Sequence, residues 1–323
     1  MFSIIIPLYN KAAYIERAIQ SVLSQTYQKF ELIVVNDGSS DNSLEIAQKF
    51  LISNTKCKLI DQENQGVSVA RNNGVKVAVY DYIAFLDADD WWEQTYLEEM
   101  SRLTEEFPGA GMFGSGYYIV KNRNKQIAPV GINTGFDKGV VNYFSTYSTT
   151  LCMPFWTGAT IIQKSIFELE HGFKPELKLG EDFDLWVRIA LKYPVVLLNK
   201  PLSNYNQDVE LTNRAIGQKL YEPREHMLFT DYGELNNNIE FRLLYERLAL
   251  YGLIPYYLSS KNSSEVTQIL NSTDWRNHAF KYRLYYILFP KLVLKAWMFF
   301  LSLGSKIKQI LIKFLQPFFN KSV

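Results

Sequence analysis

The sequence predicts an α/β fold, with a mostly parallel, Rossmann-like sheet flanked by helices and a helical C-terminal extension. Two observations indicate it. Short apolar segments rich in β-branched and aromatic residues recur in the first 90 residues, and amphipathic helical segments separate them. Strand–helix–strand units at this spacing favour parallel pairing, because the crossover helix carries the chain back to the end of the sheet where the previous strand began.

Four apolar segments predict the first four strands: Phe2–Ile6, Glu31–Val35, Lys58–Ile60 and Tyr82–Leu86. The first intervening helix has an apolar face made by Ile15, Ala18, Ile19, Val22 and Leu23. A second helix follows the capping residues after Asp37, and a third opens at Gly66. Further along, Ala159–Ile162 predicts another strand, whereas residues 121–142 lack periodicity and predict an insertion or a mobile loop.

Polar loops follow three of these strands: Pro7–Asn10, Asn36–Asp41 and Asp87–Asp90. Ligands of open parallel sheets bind outside the carboxyl ends of the strands, so we expect the three loops to share one edge. The third loop carries three carboxylates in four positions. Adjacent anions need a cation, and oxygen ligands suit Mg²⁺ or Mn²⁺ together with substrate phosphates. The alternative is an acidic turn that caps the next helix through Asp89 or Asp90.

The same edge offers the chemistry of a nucleotide site. Tyr9 supplies a ring that can stack on a base, Asp37 a carboxylate that can accept from the base, and Arg71 a cation. No G-x-G-x-x-G follows the first strand and no Walker A motif is present, which excludes a dinucleotide or P-loop site. The net charge of +1 gives no indication of nucleic-acid binding.

Four motifs in order carry a family resemblance. They are SIIIPLYNKAAYIERAIQSVLSQTYQKFELIVVNDGSSD, NQGVSVARNNG, YIAFLDADDWW, and GEDFDLWVR at Gly180–Arg188. Over roughly residues 1–200 the chain resembles the family 2 glycosyltransferases of bacterial type, which have the GT-A fold. The resemblance implies an inverting, metal-dependent transfer of a sugar from a nucleotide-diphospho-sugar, with a UDP-sugar expected, to an acceptor hydroxyl.

The resemblance also implies roles for individual residues. Pro7, Tyr9 and Asp37 would form the base pocket, with Arg71 on the donor side. Asp87 would contact the ribose or diphosphate. Asp89 would ligate Mn²⁺ or Mg²⁺, and Asp182 would be the general base. One departure is Asn36, where the family often has Asp.

The acceptor side is expected around Glu181, beside Asp182, and around Trp156 as an apolar floor for a sugar ring. Both assignments have structural alternatives. Acidic residues at a helix start complement the macrodipole, and a tryptophan of this kind is often buried in the core. Arg188 is expected to pair within its own segment.

The metal site is expected to lack a histidine, because His171, His226 and His278 are dispersed in the sequence and are interpreted as ordinary. Asp89, the diphosphate and water would then hold the ion, with Asp208 or Asn206 as additional candidates. Cys57 and Cys152 are the only cysteines, which indicates a reducing compartment without a disulfide framework. The N-terminus lacks a basic region and is interpreted as the first strand rather than a signal peptide, so we expect a cytoplasmic protein.

Three regions are predicted: a catalytic domain over 1–210, a helical extension over 211–274, and a basic amphipathic region over 275–323. The last contains nine Lys and Arg and no Asp or Glu, which leaves 25 basic against 33 acidic residues elsewhere. Its polar stripe consists of Lys291, Lys295, Ser302, Lys306, Gln309 and Lys313. Such a helix lies on membrane surfaces, which favours peripheral attachment to the inner face of the cell membrane and a carbohydrate or polyprenyl-linked acceptor. The alternative is a helix packed on the body or in a dimer.

Two other function classes stay open at this stage. A sugar nucleotidyltransferase would need a Gly-rich basic loop after the first strand, and Pro7–Lys11 is not such a loop. A non-catalytic, membrane-associated carbohydrate-binding protein would need no base at Asp182. The sugar, the linkage and the oligomeric state are not encoded in any recognisable pattern.

Overall fold

The computed structural model describes residues 1–52, 54–209, 220–233 and 237–296. The chain forms two compact units that divide between Tyr245 and Glu246. The first unit contains the sheet and every predicted site residue, and the second is helical where it is described. The three predicted regions, with bounds at 210 and 274, stay a prediction.

The strands of the first unit are β1 Phe2–Leu8, β2 Phe30–Asp37, β3 Cys57–Gln62, β4 Tyr82–Phe85, β5 Trp91–Trp92, β6 Met112–Lys121, β7 Asn124–Ile127, β8 Lys138–Val141, β9 Thr160–Gln163 and β10 Val195–Asn206. Its helices are α1 Ile15–Leu23, α2 Ser43–Leu51, α3 Val67–Val77, α4 Tyr96–Glu106, α5 Tyr143–Thr150, α6 Lys164–Leu169 and α7 Glu181–Ala190. The four predicted strands and the helices between them are therefore present.

The strands form one sheet in the order β3-β2-β1-β4-β9-β6-β10-β5, with β7 on β6 and β8 on β10. The predicted parallel arrangement holds for β3-β2-β1-β4. The second half is mixed, because β9 runs antiparallel to both β4 and β6 while β10 runs parallel to β6. The sheet is thus less uniformly parallel than the sequence predicts.

Both faces of β1 are covered, which explains its uninterrupted run of buried residues. Ile4 and Ile6 pack in the cluster that contains the buried faces of α1, α2 and α4. Ile5 points to α3, and a β-carbon at Gly74 would come within 2.6 Å of its side chain. Glycine at this position allows α3 to lie close against the strand.

The prediction of a loop over residues 121–142 is wrong, because β7 and β8 lie within it. β7 forms a hairpin with β6 across Asn122 and Arg123, whose φ angles are 52° and 61°. Positive φ at both central residues is the conformation of a tight two-residue hairpin turn. The residues of β7 are exposed along the strand, so they carry no apolar alternation that would reveal it.

Helix α8 Ile239–Gly252 crosses the division between the units, and α9 Ile254–Ser259, α10 Ser263–Ser272 and α11 Phe280–Arg283 follow it. Helices α8, α9 and α10 lie within the region 211–274 that was predicted to be helical. Residues 220–233 contain short 3₁₀ turns and no α-helix, so the prediction of a helical extension is wrong there. No helix in the described ranges is long and apolar enough to cross a bilayer. Most of the predicted amphipathic stripe lies outside the described residues.

Candidate active site

The site lies where the strand order changes direction. The chain passes outward from β1 to β2 and β3, then returns to pair β4 with the other side of β1. A crevice opens at the carboxyl ends of strands at such a point, and ligands of open α/β sheets bind there. The loops after β1 and β4 flank it, so Tyr9 and the residues of Asp87–Asp90 come to one place.

The loop after β1 is joined to the loop after β2 by side-chain hydrogen bonds. Asn10 adopts a left-handed conformation with φ 49°, and its backbone N–H donates to Ser39 Oγ over 3.1 Å. Its Oδ1 accepts from the Ser40 amide over 2.8 Å. The Lys11 amide donates to Ser43 Oγ over 2.8 Å. The two loops therefore form one surface.

Asp37 is buried at the end of β2, and its carboxylate fixes the start of α3. Oδ1 accepts from Gln62 Nε2 at 2.8 Å and from the Gln65 amide at 2.9 Å, and Oδ2 accepts from the Gly66 amide at 2.8 Å. A carboxylate offers about four lone pairs, so three donors leave about one for a ligand. Its predicted contact with a base remains a prediction.

Pro7 and Tyr9 differ sharply in exposure. Pro7 is buried inside β1, paired with Val35 of β2. Tyr9 stands just beyond the strand and is 48% exposed, so its ring is accessible at the crevice. The geometry gives Tyr9 the accessibility that base stacking requires, whereas Pro7 contributes through the shape of the strand end.

The carboxylates after β4 have separate partners. Asp87 pairs with Arg71 Nη2 at 2.7 Å, and Asp89 pairs with Lys11 Nζ at 2.7 Å. Arg17 Nη2 donates to the Asp89 carbonyl oxygen over 3.0 Å, and its guanidinium lies 3.6 Å from the Trp91 ring centroid. The loop after β4 is thus tied by three cations to the loop after β1, to α1 and to α3.

Asp90 is buried, and its carboxylate accepts from Trp156 Nε1 at 3.0 Å and from the Asn206 amide at 2.8 Å. Burial raises the pKa of Asp90 well above its ordinary value, and the charges of Asp89 and Asp87 add to the rise. Burial also raises the pKa of Asp89, although the Lys11 ammonium opposes it. Ionising all three carboxylates together is therefore unfavourable, and a bound cation would relieve their repulsion.

The donor set fits Mg²⁺ or Mn²⁺, since these ions bind carboxylate oxygen and usually take one or two protein carboxylates plus substrate phosphates. Within the ranges that the structure describes, no three His, Cys, Asp or Glu side chains form a complete metal site. Asp89, which is only partly covered, is the carboxylate that would hold the ion. The candidate Asp208 instead accepts from the amides of Asn122 and Arg123 at the β6–β7 turn.

Arg71 joins the loop after β4 to the start of α7. The guanidinium is 4% exposed and pairs with Asp87 at 2.7 Å and with Glu181 at 2.9 Å. Burial lowers the pKa of Arg71, but the charges of Asp87 and Glu181 outweigh it and raise the pKa overall. The residues predicted for the donor side and the acceptor side are therefore linked through one buried cation.

Helix α7 begins directly after Gly180, whose φ of 81° suits glycine. Burial raises the pKa of Glu181, the charge of Asp182 adds to the rise, and Arg71 opposes it. Asp182 Oδ2 accepts from Thr157 Oγ1 at 2.9 Å, and Oδ1 accepts from the Phe183 amide at 2.7 Å. The predicted base thus receives its hydrogen bonds from neutral donors.

Asp184, one turn into α7, is fully buried and pairs with Lys174 at 2.8 Å and with Arg188 at 2.8 Å. Arg188 also donates to the carbonyl oxygens of Glu170 and Gly172. The prediction that Arg188 pairs within its own segment is confirmed. The third acidic residue of the motif therefore serves the packing of α7.

Trp156 is partly buried in a stack of rings, with its centroid 4.0 Å from that of Tyr205 and 6.0 Å from that of Tyr117. Its indole N–H is bound to Asp90. Trp156 therefore borders the loop after β4, while its predicted contact with an acceptor sugar remains a prediction.

Among the histidines, His226 is buried, and burial lowers its pKa to about 4. Its Nδ1 accepts from the Leu228 amide, and the neighbouring Met227 amide donates to the Leu179 carbonyl just before α7. His278 pairs with Glu246 in the second unit. These contacts agree with the interpretation of both residues as structural.

Three residues contact the predicted site but were not predicted to belong to it: Lys11, Arg17 and Thr157. Lys11 could have been found, because a lysine in the loop after β1 shares its sheet edge with Asp89. Thr157 gave no signal, since its partner Asp182 lies 25 residues away in sequence.

The sheet and its flanking helices have the arrangement of the GT-A fold, and comparison with known proteins agrees. The sequence profile of Glycosyl transferase family 2 matches residues 3–158. An uncharacterized glycosyltransferase of Rickettsia felis is 33% identical over 204 residues, which cover 62% of this chain and 32% of that protein. The chain spans about a third of the length of the curated relatives it matches.

Two solved structures share the fold. Staphylococcus aureus TarS (residues 1–349, in complex with UDP-GlcNAc) superposes with a TM-score of 0.59 at 18% identity, covering 84% of this chain and 90% of that one. The mannosyltransferase PcManGT of Pyrobaculum calidifontis, in complex with GDP-Man and Mn²⁺, gives a TM-score of 0.54 at 15% identity, covering 91% and 85%. Residues 3–158 are thus similar to glycosyl transferase family 2.

Proposed function

We propose that this protein is an inverting glycosyltransferase that moves a sugar from a nucleotide-diphospho-sugar, a UDP-sugar, to an acceptor hydroxyl. The observation that carries the proposal is the path of ion pairs from Asp87 through Arg71 to Glu181 at the start of α7, with Asp89 in the same loop as Asp87. It brings a carboxylate cluster suited to a diphosphate and its metal to the same crevice as a carboxylate suited to a base.

The donor would lie across the carboxyl ends of β1, β2 and β4. The exposed ring of Tyr9 would stack on the base, and Asp37 would accept from it with its remaining lone pair. Arg71 and Asp87 would face the ribose and diphosphate. The UDP-GlcNAc complex of TarS supports a uridine donor, although the GDP-Man complex of PcManGT shows that this fold also accepts guanosine.

In the transfer step, the acceptor oxygen would form a bond to the anomeric carbon as the bond from that carbon to the diphosphate oxygen breaks. Asp182 would take the proton of the acceptor hydroxyl, and the electron pair of the broken bond would leave with the nucleoside diphosphate. Glu181 and Trp156 would orient the acceptor. A divalent ion bound at Asp89 would neutralise negative charge on the departing diphosphate.

The acceptor class follows from the charge of the C-terminal region. Phe280, Ile287, Leu288 and Leu292 are exposed in a stretch whose charged residues are all basic. Exposed apolar and basic groups together suit an anionic bilayer surface, where a polyprenyl-linked acceptor would be found. We expect the full chain to float with vesicles containing phosphatidylglycerol, and to release them in high salt. Equal partitioning to neutral vesicles would reject the electrostatic part of this proposal.

A thermal-shift screen of nucleotide-sugars with Mn²⁺ tests the donor class directly, because a bound ligand stabilises the folded state by mass action. We expect a UDP-sugar to raise the melting temperature more than the free sugar does. Slow metal-dependent hydrolysis of that donor would separate an enzyme from a carbohydrate-binding protein. Stabilisation by free sugars alone, without donor hydrolysis, would overturn the proposal.

A further inference from the structure

We infer that Thr157 is a positioning residue for Asp182, and that its hydroxyl keeps the carboxylate oriented while an acceptor approaches. The inference rests on the proposed function. Thr157 is 2% exposed and its Oγ1 lies 2.9 Å from Asp182 Oδ2. An ionised carboxylate only accepts hydrogen bonds, so the hydroxyl proton points to Asp182.

The backbone around Thr157 is fixed on both sides, so its hydroxyl can act as a rigid reference. The preceding Phe155 carbonyl accepts from Trp186 Nε1 on α7 at 3.0 Å. The following Gly158 carbonyl accepts from Trp92 Nε1 on β5 at 2.6 Å. Donors from two separate elements therefore hold the segment at both ends.

Trp156, the residue before Thr157, binds an acidic residue of the loop after β4, Asp90. Trp156 Nε1 donates to Asp90, and Thr157 Oγ1 donates to Asp182. Two consecutive residues thus hold one carboxylate from the donor side and the proposed base. Because Trp156 and Thr157 are adjacent, the distance between Asp90 and Asp182 is fixed across one peptide unit. In-line attack requires such fixed placement of the donor and the base.

The other hydrogen bond of Asp182 leaves room for a substrate. Oδ1 accepts from the Phe183 amide, and each carboxylate oxygen has a further lone pair. The charged and titratable groups that face it are Glu181, Arg71, Tyr143 and Tyr147. Thr157 would keep its own proton throughout, and Asp182 would receive the acceptor proton.

The test compares Thr157→Val with Thr157→Ser in the full-length protein. We expect Thr157→Val to lower kcat about tenfold, the ratio expected when a hydrogen bond to a charged group is lost. The donor KM would stay unchanged. Thr157→Ser keeps the hydroxyl and would restore kcat.

The matched control is Thr104→Val on α4, where a buried threonine hydroxyl donates to the Ser101 carbonyl at 2.9 Å. It removes the same group away from the site and should leave kcat unchanged. If Thr157→Val does not fold by circular dichroism, Thr157→Ala takes its place under the same criteria. A wild-type kcat in the folded variant, or a serine variant that fails to restore kcat, would overturn the inference.

Failure of this inference is distinguishable from failure of the proposed function. Full transfer activity in Asp182→Asn would remove the proposed base whatever Thr157 does. Loss of transfer in Asp182→Asn together with a wild-type kcat in Thr157→Val would reject only the role of Thr157.

Discussion

Two clusters of three carboxylates, each within four residues, lie at the site and have different surroundings. The cluster at Asp87–Asp90 follows a strand and shares Lys11 and Arg71, and the pKa of two of its members is raised by burial and by their neighbours. The cluster at Glu181–Asp184 begins a helix, where the positive end of the macrodipole favours acids. Similar composition therefore meets different partners, with Lys11 and Arg71 on Asp89 and Asp87 in the first cluster and with Lys174 and Arg188 together on Asp184 in the second.

Within the cluster at Glu181–Asp184, the residues Asp182 and Asp184 also differ in their hydrogen-bond and ion-pair partners. Asp184 is fully buried between Lys174 and Arg188, which marks it as part of the packing of α7. Asp182, two positions earlier, accepts from a hydroxyl and an amide. The identity of the donors, rather than burial alone, distinguishes the residue proposed for chemistry from the residue that stabilises the helix.

The largest effect is expected at Asp182. Asp182→Asn removes the proposed base while keeping size and polarity, and should lower kcat by about 10²- to 10⁴-fold. Donor binding, measured by thermal shift with Mn²⁺, should persist. If the Asp182→Asn variant transfers sugar at the wild-type rate, Asp182 is not the base, and its proposed difference in role from Asp184 is wrong.

Asp184→Asn should act on stability instead. It leaves Lys174 and Arg188 without their shared anion in a buried setting, which costs about 3–5 kcal/mol. Urea unfolding would measure the loss, with Asp137→Asn on an exposed residue as the control, expected to change stability by less than about 0.5 kcal/mol. If Asp184→Asn is as stable as the control, the ion pairs do not stabilise α7.

Asp89 should govern metal binding. Mn²⁺ at 100 times its Kd should stabilise the wild type by about 2.7 kcal/mol, and Asp89→Asn should lose this. A raised pKa means that the folded state binds the proton more tightly than the unfolded state, so ionising Asp89 weakens the fold as pH rises through that pKa. Metal binding removes this penalty, so Mn²⁺ should stabilise more at pH 8 than at pH 5.

The control for this prediction is Asp81→Asn, on an exposed residue before β4 that should keep the metal response. If Mn²⁺ stabilises Asp89→Asn as much as it stabilises the wild type, Asp89 does not bind the metal.

The smallest effect is expected at Lys11. Its ammonium lies on the carboxylate that a metal would use, so Lys11→Met should raise the affinity for Mn²⁺ about fivefold, the value of one partly exposed ion pair. Calorimetric titration with Mn²⁺ alone would measure it, with Lys29→Met, an exposed lysine, as the control. A weaker affinity in Lys11→Met would contradict competition between the ammonium and the metal.

The strands and loops that carry the site could be predicted because each has a recognisable pattern in its own short stretch of sequence. An apolar run followed by polar residues marks the end of β1, β2 and β4, and the parallel pairing then brings those ends together. The exposed strand β7 could not be found, since neither face has an apolar pattern. The contact of Lys11 with Asp89 spans 78 residues and that of Thr157 with Asp182 spans 25, so no sequence window contains either pair.

The position of Arg71 has a consequence for how the two substrates influence each other. One guanidinium satisfies Asp87 on the donor side and Glu181 on the acceptor side, so a ligand that draws it towards either acid weakens its bond to the other. Thermodynamic linkage makes such an influence reciprocal: whatever factor the first substrate imposes on the affinity of the second is returned in equal measure. The affinities for a sugar donor and for its acceptor would then be coupled through a single buried side chain.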